Sequence, residues 1–175
     1  MDTTTRSLRA THPVISILVL LGSVLLATGV GFAGSLATTT HVDGWYADAE
    51  KAAWNPPDAV FGPVWTALYL VMAVAAWLVW RRRHEAEVRP ALLAYLVQLV
   101  LNAAWTPVFF ALYPAWRVAA LWIAFGIIVA LAAAVLVTIL RFWPVHSVAA
   151  VLLMPYLAWV VFASSLNLAI AVYAS

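Results

Sequence analysis

Residues 54–83 read WNPPDAVFGPVWTALYLVMAVAAWLVWRRR. After Pro56, Pro57 and Pro63, the residues from 61 to 80 carry no charge, and Arg81, Arg82 and Arg83 follow directly. About 20 mostly apolar residues in helical conformation cross the roughly 30 Å hydrocarbon core of a bilayer. A run of that length, with prolines at one edge and arginines at the other, reads as a membrane-spanning helix whose basic end sits among the headgroups.

The rest of the chain extends that reading. Hydrophobic residues make up 66% of the sequence and charged residues 9%, with a mean hydropathy of +1.00, against about 45–50% and about 25% in soluble domains. Five segments are long and apolar enough to span: 14–37, 61–80, 90–112, 118–140 and 145–173. The 175 residues therefore form one all-α membrane domain of five transmembrane helices, with a structured loop over 38–60 between the first two. Arg6 and Arg9 ahead of the first run resemble a secretory signal, but a signal's apolar core is about 7–15 residues, so a retained helix is expected. Cysteine is absent, which removes disulfides, thiolate metal sites and a cysteine nucleophile. The net charge of +2 comes from arginines at membrane edges, so it reports topology and not nucleic-acid binding.

Basic residues orient the bundle. With the N-terminus inside, seven Lys or Arg fall on the inner side: Arg6, Arg9, Arg81, Arg82, Arg83, Arg89 and Arg141; only Lys51 and Arg117 fall outside. This bias places the loop 38–60, with Asp43, Asp48, Glu50 and Asp58, and the C-terminus on the outer face of the cell membrane.

Ten tryptophans can then be sorted. Trp80, Trp116 and Trp143 sit at span ends as an interfacial aromatic belt, while Trp77 and Trp122 read as lipid-facing or packing residues. Trp45 and Trp54 lie in the loop, Trp65 opens the second span, and Trp105 and Trp159 lie within the third and fifth. Gln98, Asn102, Trp105 and Phe109 share one helical face, as do Pro155, Trp159, Ala163, Asn167 and Ile170, and as do Trp65, Tyr69, Met72 and Ala76. Amides inside a membrane avoid lipid, so Asn102 and Asn167 turn two of these stripes toward the interior. With the spans antiparallel, all three converge beneath the loop in the outer half, as an aromatic cavity suited to an apolar ligand.

Several chemistries are excluded by what the spans lack. No Asp, Glu, Lys, Arg or His lies in the middle of any span, which argues against an ion-coupled carrier. His12, His41, His84 and His146 lie at ends or in loops, so no facing pair offers axial ligation of a haem. Ser164 and Ser165 have no neighbouring histidine or carboxylate to activate them. No catalytic or metal-binding residue is assigned.

Three passages, WYADAEKAAWNPPDAVFGPVWTALYLVMAVAAWLVW, LNAAWTPVFFAL and LLMPYLAWVVFASSLNLAI, resemble the TspO/translocator protein family, also called the tryptophan-rich sensory or peripheral-type benzodiazepine receptor family. The likeness runs in order over about residues 45 to 170. It implies a five-helix bundle, usually a homodimer, that binds porphyrins and haem and, in some members, sterols or synthetic benzodiazepine-site ligands. By position, Trp65 and Trp159 match tryptophans that contact ligand, Tyr46 matches a lid tyrosine, and Asn102, Ala163 and Asn167 match pocket-lining positions. Together with the converging stripes, this gives Tyr46, Trp54, Trp65, Tyr69, Asn102, Trp105, Trp159, Ala163 and Asn167 as the expected ligand site. Porphyrin propionates are expected at the outer surface near Lys51 or His41.

Two departures qualify the likeness. Lys51-Ala52 stands where the family commonly has Lys-Pro, and no Lys or Arg follows Tyr156 or Tyr173 to complete the C-terminal sterol motif of animal members. The expected function is a receptor or sensor for protoporphyrin or haem that modulates tetrapyrrole handling, with no obligatory cofactor. Light-dependent porphyrin degradation and facilitated transport of porphyrin or lipid are the alternatives. Small residues at four-residue spacing, Gly126, Ala130 and Ala134 in the fourth span and Gly29, Ala33 and Ala37 in the first, suit helix contacts in a homodimer.

Overall fold

The computed structural model of the chain describes residues 13–175, apart from the side chains of Ala37, Thr39 and Thr40; Arg6, Arg9 and His12 lie outside the described residues. Its elements are α1 (Pro13–Val42), α2 (Trp45–Asp48), a 3₁₀ turn (Asp58–Val60), α3 (Phe61–Trp80), α4 (Val88–Phe110), α5 (Tyr113–Trp116), α6 (Val118–Val145), α7 (Ser147–Leu152) and α8 (Met154–Tyr173). Five helical segments are long and apolar enough to cross a bilayer: α1, α3 with its preceding turn, α4, α6, and α7 together with α8. The protein is a five-helix integral membrane bundle.

The helix limits differ from the apolar runs where local chemistry intervenes. α1 continues through the polar TTTHV to Val42, because threonine is compatible with a helix and Thr38 bonds back to the Gly34 carbonyl at 2.8 Å. The expected loop start at 38 is therefore corrected to the residues following Val42, just before Gly44. α4 stops at Phe110 and not at 112: Pro107 lies in its last turn, where the Ala111 and Leu112 amides both turn back onto the Pro107 carbonyl. α6 runs to Val145, past the expected end at 140, and accommodates Pro144. The last span is broken at Leu153, since Pro155 has no N–H for the Val151 carbonyl, and the Leu153 amide closes a tighter turn onto Ala150 at 3.1 Å. α3 begins at Phe61, with Pro63 in a first turn whose amides have no helical acceptor in any case.

Packing organises these helices around α6, which lies along α4 and α8, while α1 packs on α3 and α4. Met72, Ala73, Ala75 and Val79 of α3 meet Ala91, Tyr95 and Leu99 of α4, Ile128, Leu131 and Val135 of α6 and Tyr156 and Val160 of α8 in one core. The outward residues are as apolar as the inward ones: Leu25, Val100, Leu140 and Val161 are all exposed. Such a surface is stable only against hydrocarbon, where it needs no burial. α1 is the least covered span, with Ala27 its one buried residue among those described. It is pinned to α3 by the Trp77 indole N–H, which donates to the Ser16 carbonyl at 2.9 Å.

The two ends of the bundle are chemically opposite. At one, an Arg82 guanidinium nitrogen donates to the Val145 carbonyl, and Arg81 and Arg83 lie over the rings of Trp77 and Trp80. At the other, the Trp45 indole donates to the Phe110 carbonyl at 3.0 Å and stacks on Tyr113 with ring centroids 3.9 Å apart. That contact fastens the segment between α1 and α3 over the bundle like a lid.

Four polar side chains inside the core are linked to one another, while the buried Tyr95 hydroxyl and Gln98 Nε2 have no hydrogen-bond partner among the described residues. The Tyr69 hydroxyl donates to Asn102 Oδ1 at 2.7 Å, Asn102 Nδ2 donates to the Tyr156 hydroxyl at 3.0 Å, and that hydroxyl donates to Gln98 Oε1 at 2.9 Å. The chain joins α3, α4 and α8 inside the bundle, where a lost partner leaves a bare polar group. Tyr156→Phe removes the central hydroxyl, and should lower stability by about 1–2 kcal/mol. Thermal unfolding in a neutral detergent checks this; Tyr173→Phe, on an exposed residue, should leave the midpoint unchanged.

Candidate functional site

Beneath the lid, α1, α3, α4 and α8 diverge to enclose a cavity of about 960 Å³. Trp65 and Tyr69 of α3 form one wall, stacked with centroids 5.5 Å apart and planes at 28°. Trp105 and Phe109 of α4 form another, at 5.5 Å and 26°. Both pairs are four residues apart in helix, the spacing that brings rings together on one face. Ala163, Asn167 and Ile170 of α8 and Gly31, Gly34 and Thr38 of α1 contribute the remaining sides, with Tyr46, Asp43 and Asp58 at the lid.

The amides hold the walls in place. Asn167 accepts the Trp105 indole N–H on Oδ1 at 3.1 Å and donates from Nδ2 to the Leu121 carbonyl of α6 at 3.1 Å. Asn102 lies below the cavity, 2% exposed, between Tyr69 and Tyr156. These bonds restrict the Tyr69 and Trp105 rings, one on each aromatic wall. In the lid, Tyr46 packs edge-on to Phe110, and Lys51 Nζ sits 4.6 Å from the centroid of its ring. Burial, and then the charge of Asp58, pushes the Tyr46 hydroxyl up to about 12, so it stays protonated at neutral pH.

Comparison with known proteins fits this arrangement. The model of the TspO/MBR family matches residues 23–173. The chain belongs to the TspO/MBR family. A tryptophan-rich protein TspO of Archaeoglobus fulgidus is 39% identical over 89% of this chain and 97% of its own length. The human translocator protein is 40% identical over 81% of this chain and 82% of its own, and the tryptophan-rich sensory protein of Cereibacter sphaeroides 36% over 82% and 87%. Membership in this family supports a membrane receptor or sensor role.

Of the nine residues expected at a ligand site in this TspO/MBR member, Tyr46, Trp65, Tyr69, Trp105, Ala163 and Asn167 line the cavity. Asn102 supports it from one layer down. Trp54 is 54% exposed on the lid, with its indole donating to Ser165 Oγ at 3.2 Å, and does not face the cavity. Trp159 is half-buried against Phe61 and Phe162 and lies outside the lining. Lys51 and His41 are also outside it.

Other lining residues were not expected from the sequence. Phe110 and Thr106 fall on faces that periodicity alone does not distinguish, whereas Thr28, Gly31, Ser35 and Thr38 of α1 share one face at i, i+3, i+7, i+10 spacing, a stripe of small and polar residues that the sequence does carry. Gly31 could have been suspected from GVGFAG, where three glycines at 29, 31 and 34 interrupt an otherwise bulky helix. A Cβ there would lie 2.7 Å from Tyr69 Cδ2, so only glycine lets α1 approach the ring. The Tyr69 ring cannot yield freely, because its hydroxyl is bonded to Asn102. Gly31→Ala should therefore displace the ring, weaken the Tyr69–Asn102 bond and destabilise the fold by about 1–3 kcal/mol, the usual cost of overpacking. Gly29→Ala, where nothing lies within 4 Å, should be neutral in the same detergent melt; equal losses for the two would mean that ring contact is not the cause.

Proposed function

We propose that the protein is a membrane receptor or sensor that binds a flat, largely apolar ring of the tetrapyrrole class, a porphyrin or haem, in the cavity beneath the lid. The observation that carries this reading is the cavity of about 960 Å³ walled by two near-parallel aromatic pairs. Its size lies at the upper end of the roughly 300–1,000 Å³ of small-molecule sites, and stacked side chains present broad π-faces to a planar guest. Among the described residues no His, Met or Cys lines the cavity, Tyr46 keeps its proton and the Tyr69 hydroxyl is given to Asn102, so a haem would be held chiefly by its ring faces. The family relatives named translocator and sensory proteins support a role in recognition.

Two assembly features belong to the same proposal. The arginine end faces the inside of a cell membrane and the lid end the outside, following the basic residues. The active form is a homodimer: Gly126 and Ala130 are exposed along α6, with open space around Gly126, a surface that permits close approach of a second helix. Cross-linking in mild detergent that yields monomer alone removes the dimer.

Protoporphyrin should quench tryptophan fluorescence by a saturable process. Trp65→Ala and Trp105→Ala should each weaken binding by about 1–3 kcal/mol, the scale of a large aromatic contact. Trp159→Ala should lose less, because that ring reaches the cavity only through Phe61, and Trp143→Ala, at the arginine end, should lose nothing. Equal affinity in wild type and a Trp65→Ala, Trp105→Ala double variant would place the ligand elsewhere. Mass analysis of the pigment after illumination separates the receptor from its alternative: unchanged pigment supports binding, a ring-opened product an enzyme.

Orientation has its own test. An impermeant amine reagent should label Lys51 in intact cells, while protease should cut the segment between α3 and α4 only after lysis. Labelling of Lys51 only in opened cells would reverse the bundle.

A further inference from the structure

α1 changes partner along its length. Near the arginine end it lies against α3, where the Trp77 indole donates to the Ser16 carbonyl at 2.9 Å. Midway it meets α3 again, with Gly31 against the Tyr69 ring, but three residues further on a Cβ at Gly34 would lie 3.3 Å from Thr106 Oγ1 of α4. Past Gly31, α1 therefore leans onto α4 and parts from the outer end of α3.

The parting leaves a slot in the cavity wall. Phe32 and Ser35 of α1 and Gly62 and Thr66 of α3 all line the cavity and are all exposed, Phe32 to 68%. Facing the cavity does not by itself expose a side chain, since Phe109 and Asn167 line the opposite walls at 3% and 1%. A Cβ on Gly62, or on Gly29 at the end of the slot further from the lid, would meet nothing within 4 Å among the described residues. These positions fall within Pro13–Leu36 and Asp58–Trp80, two of the stretches apolar and long enough to span. The slot therefore faces lipid tails and not water.

The lid, by contrast, is fastened at several points. Opening it would break the Trp45 bond to the Phe110 carbonyl, the Trp45 stack on Tyr113, the Trp54 bond to Ser165 and the packing of Ala52 on Leu166 and Ala169. Passage through the slot displaces acyl chains only, and an apolar ring already dissolved in the bilayer loses no burial on the way.

On the reading that a planar ring occupies the cavity, we infer that the ligand enters and leaves sideways, from the hydrocarbon through the slot between α1 and α3, while the lid stays fastened. Phe32 and Ser35 on one side and Gly62 and Thr66 on the other set the width of the passage. The ring goes in edge first, and its polar substituents travel at the level of the lid, where Gly62 adjoins the 3₁₀ turn and water is within reach. A ligand of this site is one that first partitions into the membrane.

The test reads rates, on the full-length protein in phosphatidylcholine nanodiscs, by stopped-flow quenching of tryptophan with protoporphyrin IX. A Ser35→Phe, Gly62→Phe variant fills the slot from both sides. Association and dissociation should both slow about tenfold or more with affinity held within about threefold, because a barrier on the path acts on both directions alike. Phe32→Ala truncates an exposed side chain, widens the slot and should speed both rates about threefold or more. Trp45→Ala unlatches the lid, and Gly22→Phe puts the same ring on α1 outside the lining; each should leave both rates within about twofold of wild type. Rates raised by Trp45→Ala, or rates unchanged in the filled and widened variants, overturn the slot and leave the cavity reading standing. Slower association in the filled variant without slower dissociation puts the added rings in the ligand's own space and overturns the slot as well. No saturable quenching in the wild type overturns both.

Discussion

Asn102 holds two tyrosines from different helices at once, through a 2.7 Å bond from Tyr69 and a 3.0 Å bond to Tyr156. In water such bonds would exchange readily with solvent; within a bilayer there is nothing to exchange with, and the alternative to each bond is an unsatisfied polar atom. The apolar contacts of the bundle cannot by themselves fix one arrangement, because lipid tails satisfy Leu and Val as well as another helix does. The amide chain supplies that specificity. It fixes the rotation of α3 against α4 and α8, and with it the side of α3 on which Trp65 and Tyr69 appear.

A second amide repeats the device one level nearer the lid. Asn167 ties the Trp105 indole to the α6 backbone through Leu121, so the opposing aromatic wall is referred to the most central helix. Above it the lid is fastened by a different means, with Trp45 stacked on Tyr113 and bonded to the Phe110 carbonyl. Cavity and lid are thus anchored on α4: its inward face carries Trp105 and Phe109, and its end receives Trp45. The lid has few covalent constraints beyond Pro56 and Pro57, and Ala52 is buried where a proline was expected from the family pattern. Buried contact with Leu166 and Ala169 of α8 holds that position instead.

The five spans were legible because apolar runs of bilayer length are a strong signal, and the inward faces of α3, α4 and α8 because one or two polar or aromatic residues marked each. Gln98, Asn102 and Phe109 are all buried, as their shared stripe required. α1 carries a fainter mark, the small and polar stripe Thr28, Gly31, Ser35 and Thr38 with no amide or aromatic in it, and so its glycines and threonines at the cavity were missed. Helix limits went wrong where composition and geometry part: a polar threonine run can continue a helix, and Pro155 can break one inside an apolar run. Trp54 and Trp159 illustrate the limit of position alone. Both stand in the expected places along the chain, yet the rotation of α8 turns Trp159 toward Phe61 and Phe162, and Trp54 is drawn to Ser165 on the outside.

The same need for internal satisfaction that stabilises the bundle also shapes the chemistry of its cavity. Thr28, Thr38, Thr66, Tyr69 and Trp105 spend their protons on acceptors within the bundle, while Ser35, Tyr46 and Thr106 line the same cavity with hydroxyls given to no acceptor among the described residues. At the mouth, where side chains reach water and charge is tolerable, the chain places Asp43, Asp58 and the Tyr46 hydroxyl. Stability and the chemistry of the cavity are therefore linked in this fold: each hydroxyl or indole proton used to lock a helix is one fewer donor facing the cavity. A variant that freed such a donor, by removing the acceptor amide beneath it, would loosen the wall at the same step as it added a donor to the cavity.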